Sequence, residues 1–274
     1  MAHTTGTSSF PHPAEALEYP NGLLCQGGEL DPTTLLDAYE HGIFPWFSEG
    51  EPVMWWSPDP RFVITASSFH VSKSLRKTLR RCFANADELL KTHAGARMAR
   101  DVNPPEPPFR FTVRCDTSFE AVIKACAEER EDGTWITLEM QESYSELARL
   151  GYAHSVELFE EETLVAGLYG VSVGRTFCGE SMFTKVPNGS KMAFAIMAAQ
   201  LFRWGYTLID CQIEGHFLAQ FGGHTISRQN FLTRLKNGLA DQEVVSKLFN
   251  NKDMSANSAY TSIHRQHWHT SWLL

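Results

Sequence analysis

The chain has 274 residues, 43% of them apolar, and a formal net charge of −8 at pH 7, enough apolar material for one large domain or two unequal ones. The acidic balance argues against a general basic coat for nucleic acid, while leaving room for a local basic patch. No apolar run is long enough to span a membrane, and Met1 to Pro13 lacks a charged segment followed by an apolar one, so the expectation is a soluble cytoplasmic protein with no membrane partner.

Residues 1–18 read as a flexible leader and 19–70 as a small, aromatic-rich N-terminal domain. Within it Pro20-Asn-Gly22 and Gly27-Gly28 signal turns. Asp31 is placed to cap a helix that opens on Pro32 and closes at Gly42, with Leu35, Leu36 and Tyr39 facing inward. The clusters Ile43-Phe-Pro-Trp-Phe47 and Trp55-Trp-Ser-Pro-Asp-Pro-Arg61 suit either a small core or a stacking surface.

Residues 71–245 are expected to form the second domain. Ser72 caps a helix through Arg81 that sets Lys73, Arg76, Lys77 and Arg80 on one face and Leu75 and Leu79 on the other. A charged helical face is ordinarily plain solvated surface. As the concentrated positive patch of an acidic chain, this one is also a candidate for binding phosphates. The proline-rich stretch 95–108 is a loop, followed by helices over 118–129 and 140–151 and a short extended Trp135-Ile-Thr137. Strands over 154–159, 163–171 and 175–180 make an antiparallel meander. A helix over 190–204 turns Phe194, Met197, Ala198, Leu201 and Phe202 to a core; a strand over 207–212 and an amphipathic helix over 228–239 follow, and 246–274 is a tail. The fold class is α/β (α+β), and the order βββ-α-β-α points to an acyltransferase-like sheet rather than a barrel or bundle.

Six cysteines (Cys25, Cys82, Cys115, Cys126, Cys178 and Cys211) form no Cys-x-x-Cys pair. That spacing fits neither a zinc site nor a disulfide framework and predicts free thiols. His264, His267 and His269 lie in the tail, where solvated side chains are expected rather than a metal site.

Chemistry is expected first at Asp210 and Gln212. On a strand they project from one face while Ile209 and Cys211 go to the other. A carboxylate and an amide in an apolar setting are costly unless they meet hydrogen-bond partners or a ligand. A cysteine hydrolase using Cys211 with His216 or His154 is disfavoured, because Cys211 would then point away from that pair.

The segments Pro20-Asn-Gly-Leu-Leu24, Gly42-Ile-Phe-Pro-Trp-Phe47, Trp55-Trp-Ser-Pro-Asp-Pro-Arg61, Gly133-Thr-Trp-Ile-Thr137, Gly151-Tyr-Ala-His-Ser-Val-Glu157, Gly179-Glu-Ser-Met-Phe183 and Ile209-Asp-Cys-Gln212 closely resemble, in order, the leucyl/phenylalanyl-tRNA–protein transferase family. The resemblance covers about residues 15–240. Thr184, in place of Ser, and Phe221-Gly-Gly-His depart from the family's pattern, and the segment 81–109 is longer than expected.

The resemblance implies a small N-terminal domain joined to a GNAT-like acyltransferase domain with a mostly antiparallel central sheet, acting without metal or organic cofactor. The implied partners are aminoacyl-tRNA carrying Leu, Phe or, less readily, Met, and proteins with N-terminal Arg or Lys, which the added residue marks for N-end-rule degradation. It implies catalytic roles for Asp210, Gln212 and Glu180. Gln212 would orient the amine or the ester carbonyl, and Asp210 would polarise Gln212 and accept the proton, or leave that to the tRNA ribose. Glu180 would hold either the donor's ammonium or the acceptor's basic side chain. Leu168, Phe177, Met182, Phe194, Met197 and Ile209 would form the aminoacyl pocket; Trp46, Trp135, Tyr39 and Tyr144 would stack the terminal adenosine and frame the acceptor peptide; Lys73, Arg76, Lys77 and Arg80 would hold the tRNA backbone. Two rivals remain at this point. An acetyl-CoA-dependent GNAT N-acetyltransferase needs a glycine-rich pyrophosphate loop that the chain lacks, and a non-catalytic tRNA- or peptide-binding module would show no turnover.

Overall fold

The computed structural model describes residues 8–83, 86–91, 110–128 and 134–249. The start of the expected leader, the 95–108 loop, Gly133 and the tail from 250 onward with its three histidines lie outside the described residues.

Residues 8–15 of the expected leader make defined contacts with the rest of the chain and with one another. The hydroxyls of Ser8 and Ser9 donate to Asp37 at 3.1 and 2.8 Å, and His12 caps a short 3-10 turn at Pro13–Glu15. A three-stranded sheet follows, built from β1 (Leu23–Gln26), β2 (Phe44–Pro45) and β3 (Met54–Trp56) in the order β1-β3-β2. Helix α1 (Pro32–Glu40) lies between β1 and β2 in sequence. Asp31 accepts from the amides of Thr33 and Thr34 at 2.9 and 3.2 Å, filling the cap its sequence position demanded.

The chain then enters a second, seven-stranded sheet at β4 (Arg61–Thr65), a strand buried along its whole length. The small sheet therefore ends before Arg61, short of the boundary expected at 70. Helix α2 (Lys73–Cys82) starts at Ser72, whose hydroxyl accepts from Leu75 N–H at 3.2 Å. After α3 (Ala86–Leu89) come β5 (Thr112–Cys115), α4 (Phe119–Glu128) and α5 (Leu138–Leu150). Trp135 to Thr137 forms no strand; Thr137 caps α5 instead, and Gly151 ends it at φ 85°, the left-handed geometry glycine tolerates. The expected meander is present as β6 (Ala153–Glu160), β7 (Thr163–Val173) and β8 (Thr176–Thr184), antiparallel throughout. Helix α6 (Gly189–Arg203) crosses to β9 (Leu208–Asp210), and α7 (His216–Ala219), β10 (His224–Ile226) and α8 (Arg228–Phe249) close the described chain.

The large sheet runs β10-β4-β9-β8-β7-β6-β5. Each pair is antiparallel except β8 with β9, which the α6 crossover makes parallel. Mixed α/β architecture with a mostly antiparallel central sheet and a separate N-terminal sheet is thus what the sequence led us to expect. Apolar side chains cover both faces. One core joins Leu35, Trp55, Tyr144, Tyr169 and Phe231; the other joins Leu75, Leu79, Phe177, Phe194 and Ile209. Helix α6 is buried from Met192 to Phe202, so it is a central helix, buried all round, rather than one with a single inward stripe.

Candidate active site

The site forms where β4, β9 and β8 lie side by side, with Val63 opposite Asp210 and Cys178 beside it. Asp210 has no exposed surface. Arg61, also buried, grips it with two parallel bonds, Nε to Oδ1 at 2.8 Å and Nη2 to Oδ2 at 2.6 Å. The guanidinium lies over the rings of Phe44 and Phe231, 4.7 and 4.5 Å from their centroids. Such stacking offsets part of the cost of burying the cation.

The expectation that Gln212 and Asp210 share a strand face is corrected here. The strand stops at Asp210, and Gln212 turns to φ 62°, in the left-handed region. The cause is local: Oδ1 of Asp210 accepts from the backbone N–H of Gln212 at 2.9 Å, and an aspartate that captures the amide two residues on breaks the ladder in favour of a turn. Gln212 thereby reaches Glu180 on β8, donating from Nε2 to Oε1 at 2.8 Å.

Glu180 also accepts from the hydroxyls of Tyr39 at 2.7 Å and Tyr144 at 3.4 Å, and the two hydroxyls contact each other. Burial pushes the Glu180 carboxyl up to about 7; the Tyr39 hydroxyl opposes that rise and the nearby Asp210 charge adds to it. Tyr39 and Tyr144 are themselves 1% and 0% exposed, so their rings offer no face to an adenine. Their part is to hold Glu180, which corrects the stacking role expected of them.

Two cavities meet at this point. One, of about 430 Å³, is lined by all six residues expected to make the aminoacyl pocket, Leu168, Phe177, Met182, Phe194, Met197 and Ile209, together with Phe217 and Leu218. Asp210 reaches its wall as well, although it has no exposed surface. The other, of about 230 Å³, is bounded by Phe44, Trp46, Trp135 and Ile213. Glu180, Cys211 and Gln212 belong to both walls. Trp46 keeps 42% of its surface exposed, whereas Trp55 is core, so the N-terminal aromatic clusters divide between the two readings. Cys211 faces the cavities, not away from Asp210 and Gln212 as a regular strand would have put it. Burial raises its thiol well above its ordinary value, which keeps it protonated and a poor nucleophile. A larger cavity of about 710 Å³ lies between α4, α5 and the start of β6 and shares none of these residues.

On α2, Lys73, Lys77 and Arg80 are exposed and Arg76 half-buried, while Leu75 and Leu79 face the core. Arg80 pairs with Asp87 at 3.0 Å, and Arg76 Nε donates to the Val71 carbonyl at 3.2 Å. A shallow cleft along α2, lined by Ser72, Ser74 and Thr78, also includes Lys191 of α6. Sequence reasoning had passed over Lys191 and Arg61. For Arg61 a signal existed: a lone cation directly before the apolar run Phe62-Val-Ile64 needs a buried anion. Among the described residues no group of three or more His, Cys, Asp or Glu side chains is arranged to hold a metal ion, and no helix is long and apolar enough to cross a membrane.

Residues 63–236 match the model of the leucyl/phenylalanyl-tRNA protein transferase family, and residues 28–59 match the model of that family's N-terminal domain. The chain belongs to this family. The transferase of Edwardsiella ictaluri is 46% identical over 228 residues, covering 83% of each chain. That of Hahella chejuensis is 45% identical over 229 residues, 83% of this chain and 86% of its own. Among solved structures, a GCN5-related N-acetyltransferase from Kribbella flavida aligns with 70% of this transferase-family chain and 59% of its own at 11% identity and a TM-score of 0.32. L-PGS from Bacillus licheniformis aligns with 66% of this chain and 50% of its own, at 14% identity and a TM-score of 0.32.

Proposed function

We propose that this aminoacyltransferase moves Leu, Phe or, less readily, Met from its tRNA ester to the N-terminal Arg or Lys of a protein, marking that protein for degradation. The observation that carries this reading is the pair of unlike cavities sharing one polar wall. The 430 Å³ cavity, apolar and lined by two methionines, suits a leucyl, phenylalanyl or methionyl side chain, since thioethers adapt to varied shapes. The 230 Å³ cavity has tryptophans at its sides and Glu180 in its wall, which suits a basic side chain. The tryptophans also offer faces to the terminal adenosine.

The donor ester is already activated, so the reaction asks mainly for placement. The acceptor's α-amine, with an ordinary pKa of about 7.7–8.0, is partly neutral at neutral pH. Its nitrogen attacks the ester carbonyl carbon, the C–O bond to the ribose breaks, and the amine's proton ends on the departing ribose oxygen. Gln212 orients the amine or the carbonyl, and holding the two reactants in contact supplies much of the rate. Asp210, sealed and gripped by Arg61, acts through the Gln212 turn rather than by taking the proton directly. The α2 face binds the acceptor-stem phosphates without reading sequence.

The test is to mix the protein with labelled Leu-tRNA and peptides beginning with Arg, Lys or Ala. Transfer to the first two, with release of deacylated tRNA, is expected. Retention of Leu-tRNA without turnover would reduce the protein to a binding module.

A further inference from the structure

The surroundings of Arg61 give it a part in the reaction. Both its donors to Asp210 are made at short range within a strand that is wholly buried. Its guanidinium packs over the rings of Phe44 of the small sheet and Phe231 of α8. Its remaining nitrogen, Nη1, is buried with no hydrogen-bond partner. An arginine placed only for stability would be poorly served by that arrangement, because burying an ion pair rarely gains over packing apolar groups of the same volume. What the pair does achieve is orientation. With both oxygens of Asp210 fixed by Arg61, Oδ1 is aimed at the Gln212 amide, and that bond holds a non-glycine residue at φ 62°. The same turn sends the Gln212 side chain to Glu180.

We infer that Arg61 is a positioning residue for aminoacyl transfer: through Asp210 it holds Gln212 in the left-handed turn that aims its amide at the wall between the two cavities. The inference rests on the transferase reading above. A lysine in place of Arg61 keeps the charge but provides a single point of contact instead of a two-pronged one. The Gln212 amide then loses its fixed aim, although the donor cavity and the α2 face keep their residues.

The experiment is a double-mutant cycle in the Leu-tRNA transfer assay, using Arg61→Lys, Gln212→Gly and the two combined, with circular dichroism to confirm folding. Arg61→Lys is expected to lower kcat on the order of a hundredfold, the usual consequence of a reactive group displaced by about an ångström, while KM for Leu-tRNA stays at its wild-type value. In the Gln212→Gly background the same change is expected to add little, since residues acting through one another are not additive. A wild-type kcat in folded Arg61→Lys, or losses that multiply independently in the double variant, overturns the inference. Should Arg61→Lys fail to fold, Asp210→Asn enters the same cycle. Its NH2 group, in place of Oδ2, sets a donor against the Arg61 Nη2 donor and breaks the two-pronged grip, and the same non-additivity is required of it. Absence of transfer by the wild-type protein would instead sink the transferase reading itself.

Discussion

The side-chain amide of Gln212 donates to Glu180 across 2.8 Å, joining a residue just past the end of β9 to the carboxylate of β8 at the wall between the two cavities. That bond links the group proposed to orient the reactants to the carboxyl proposed to select the acceptor. The first prediction follows from the charge. Above about pH 7 Glu180 is ionised against the proposed acceptor cavity, and Glu180→Gln removes that charge while leaving a side chain of the same shape. A hydrogen bond to a charged group contributes about 1.5–3 kcal/mol, so kcat/KM for Arg-initiated peptides is expected to fall about tenfold or more. Transfer to an Ala-initiated peptide should change far less. Equal losses for both peptides would show that Glu180 does not read the acceptor's side chain.

Stability carries its own signature of the same carboxyl. Glu180 is held at about 7 in the fold, against 4.5 ordinarily. Between those values the folded protein keeps a proton that the unfolded chain has released. Its stabilising contribution is therefore complete below 4.5 and is lost as pH rises through about 7. Glu180→Gln is neutral at every pH, so its Tm relative to wild type should rise across that window. A Tm difference that does not vary with pH contradicts the raised value.

Selection of the donor should respond to the volume of the apolar cavity. Met182 lines it while remaining partly exposed, so Met182→Phe narrows the space with little disturbance of the core. Since one methylene is worth about 1–3 kcal/mol in such a pocket, the ratio of kcat/KM for Phe-tRNA over Leu-tRNA is expected to fall by about tenfold or more. An unaltered ratio would remove Met182 from the donor site.

The α2 face is tested by salt. Changing Lys73, Arg76, Lys77 and Arg80 together to Ala should raise KM for tRNA and flatten its salt dependence. Each lost phosphate contact lowers the slope of log K against log salt by about 0.7–0.9. Because Arg80 already pairs with Asp87, the total is expected to fall short of four full contacts. A slope equal to wild type would return this face to ordinary solvated surface.

Much of this was legible in the residues. The caps at Asp31 and Ser72 and the β6–β8 meander follow from local chemistry, and α1 and α2 formed close to where the spacing put them, whereas Thr137, expected in an extended segment, caps α5. The six donor-cavity residues had been named from resemblance alone, because a pocket wall and a core wall have the same composition. Short edge strands such as β5 and β10 left no pattern to read. The larger miss was at Gln212, where period-two alternation was carried one step past the residue that ends the strand. Asp210 was thus expected to share a face with Gln212, and its own partner, an arginine far away in sequence on β4, left no local sign. Tyr39 and Tyr144 were misread for a related reason: a ring's face and its hydroxyl are equally plausible tools until burial shows which is free.

The most direct measurement is the single-turnover rate of leucyl transfer from Leu-tRNA to an Arg-initiated peptide by Gln212→Gly. Glycine accepts the left-handed turn and keeps the backbone bond to Asp210, so only the side-chain amide is removed. The account predicts a rate lower by on the order of a hundredfold with unchanged affinity for Leu-tRNA, as befits loss of placement rather than of binding. A wild-type rate in this variant would contradict it.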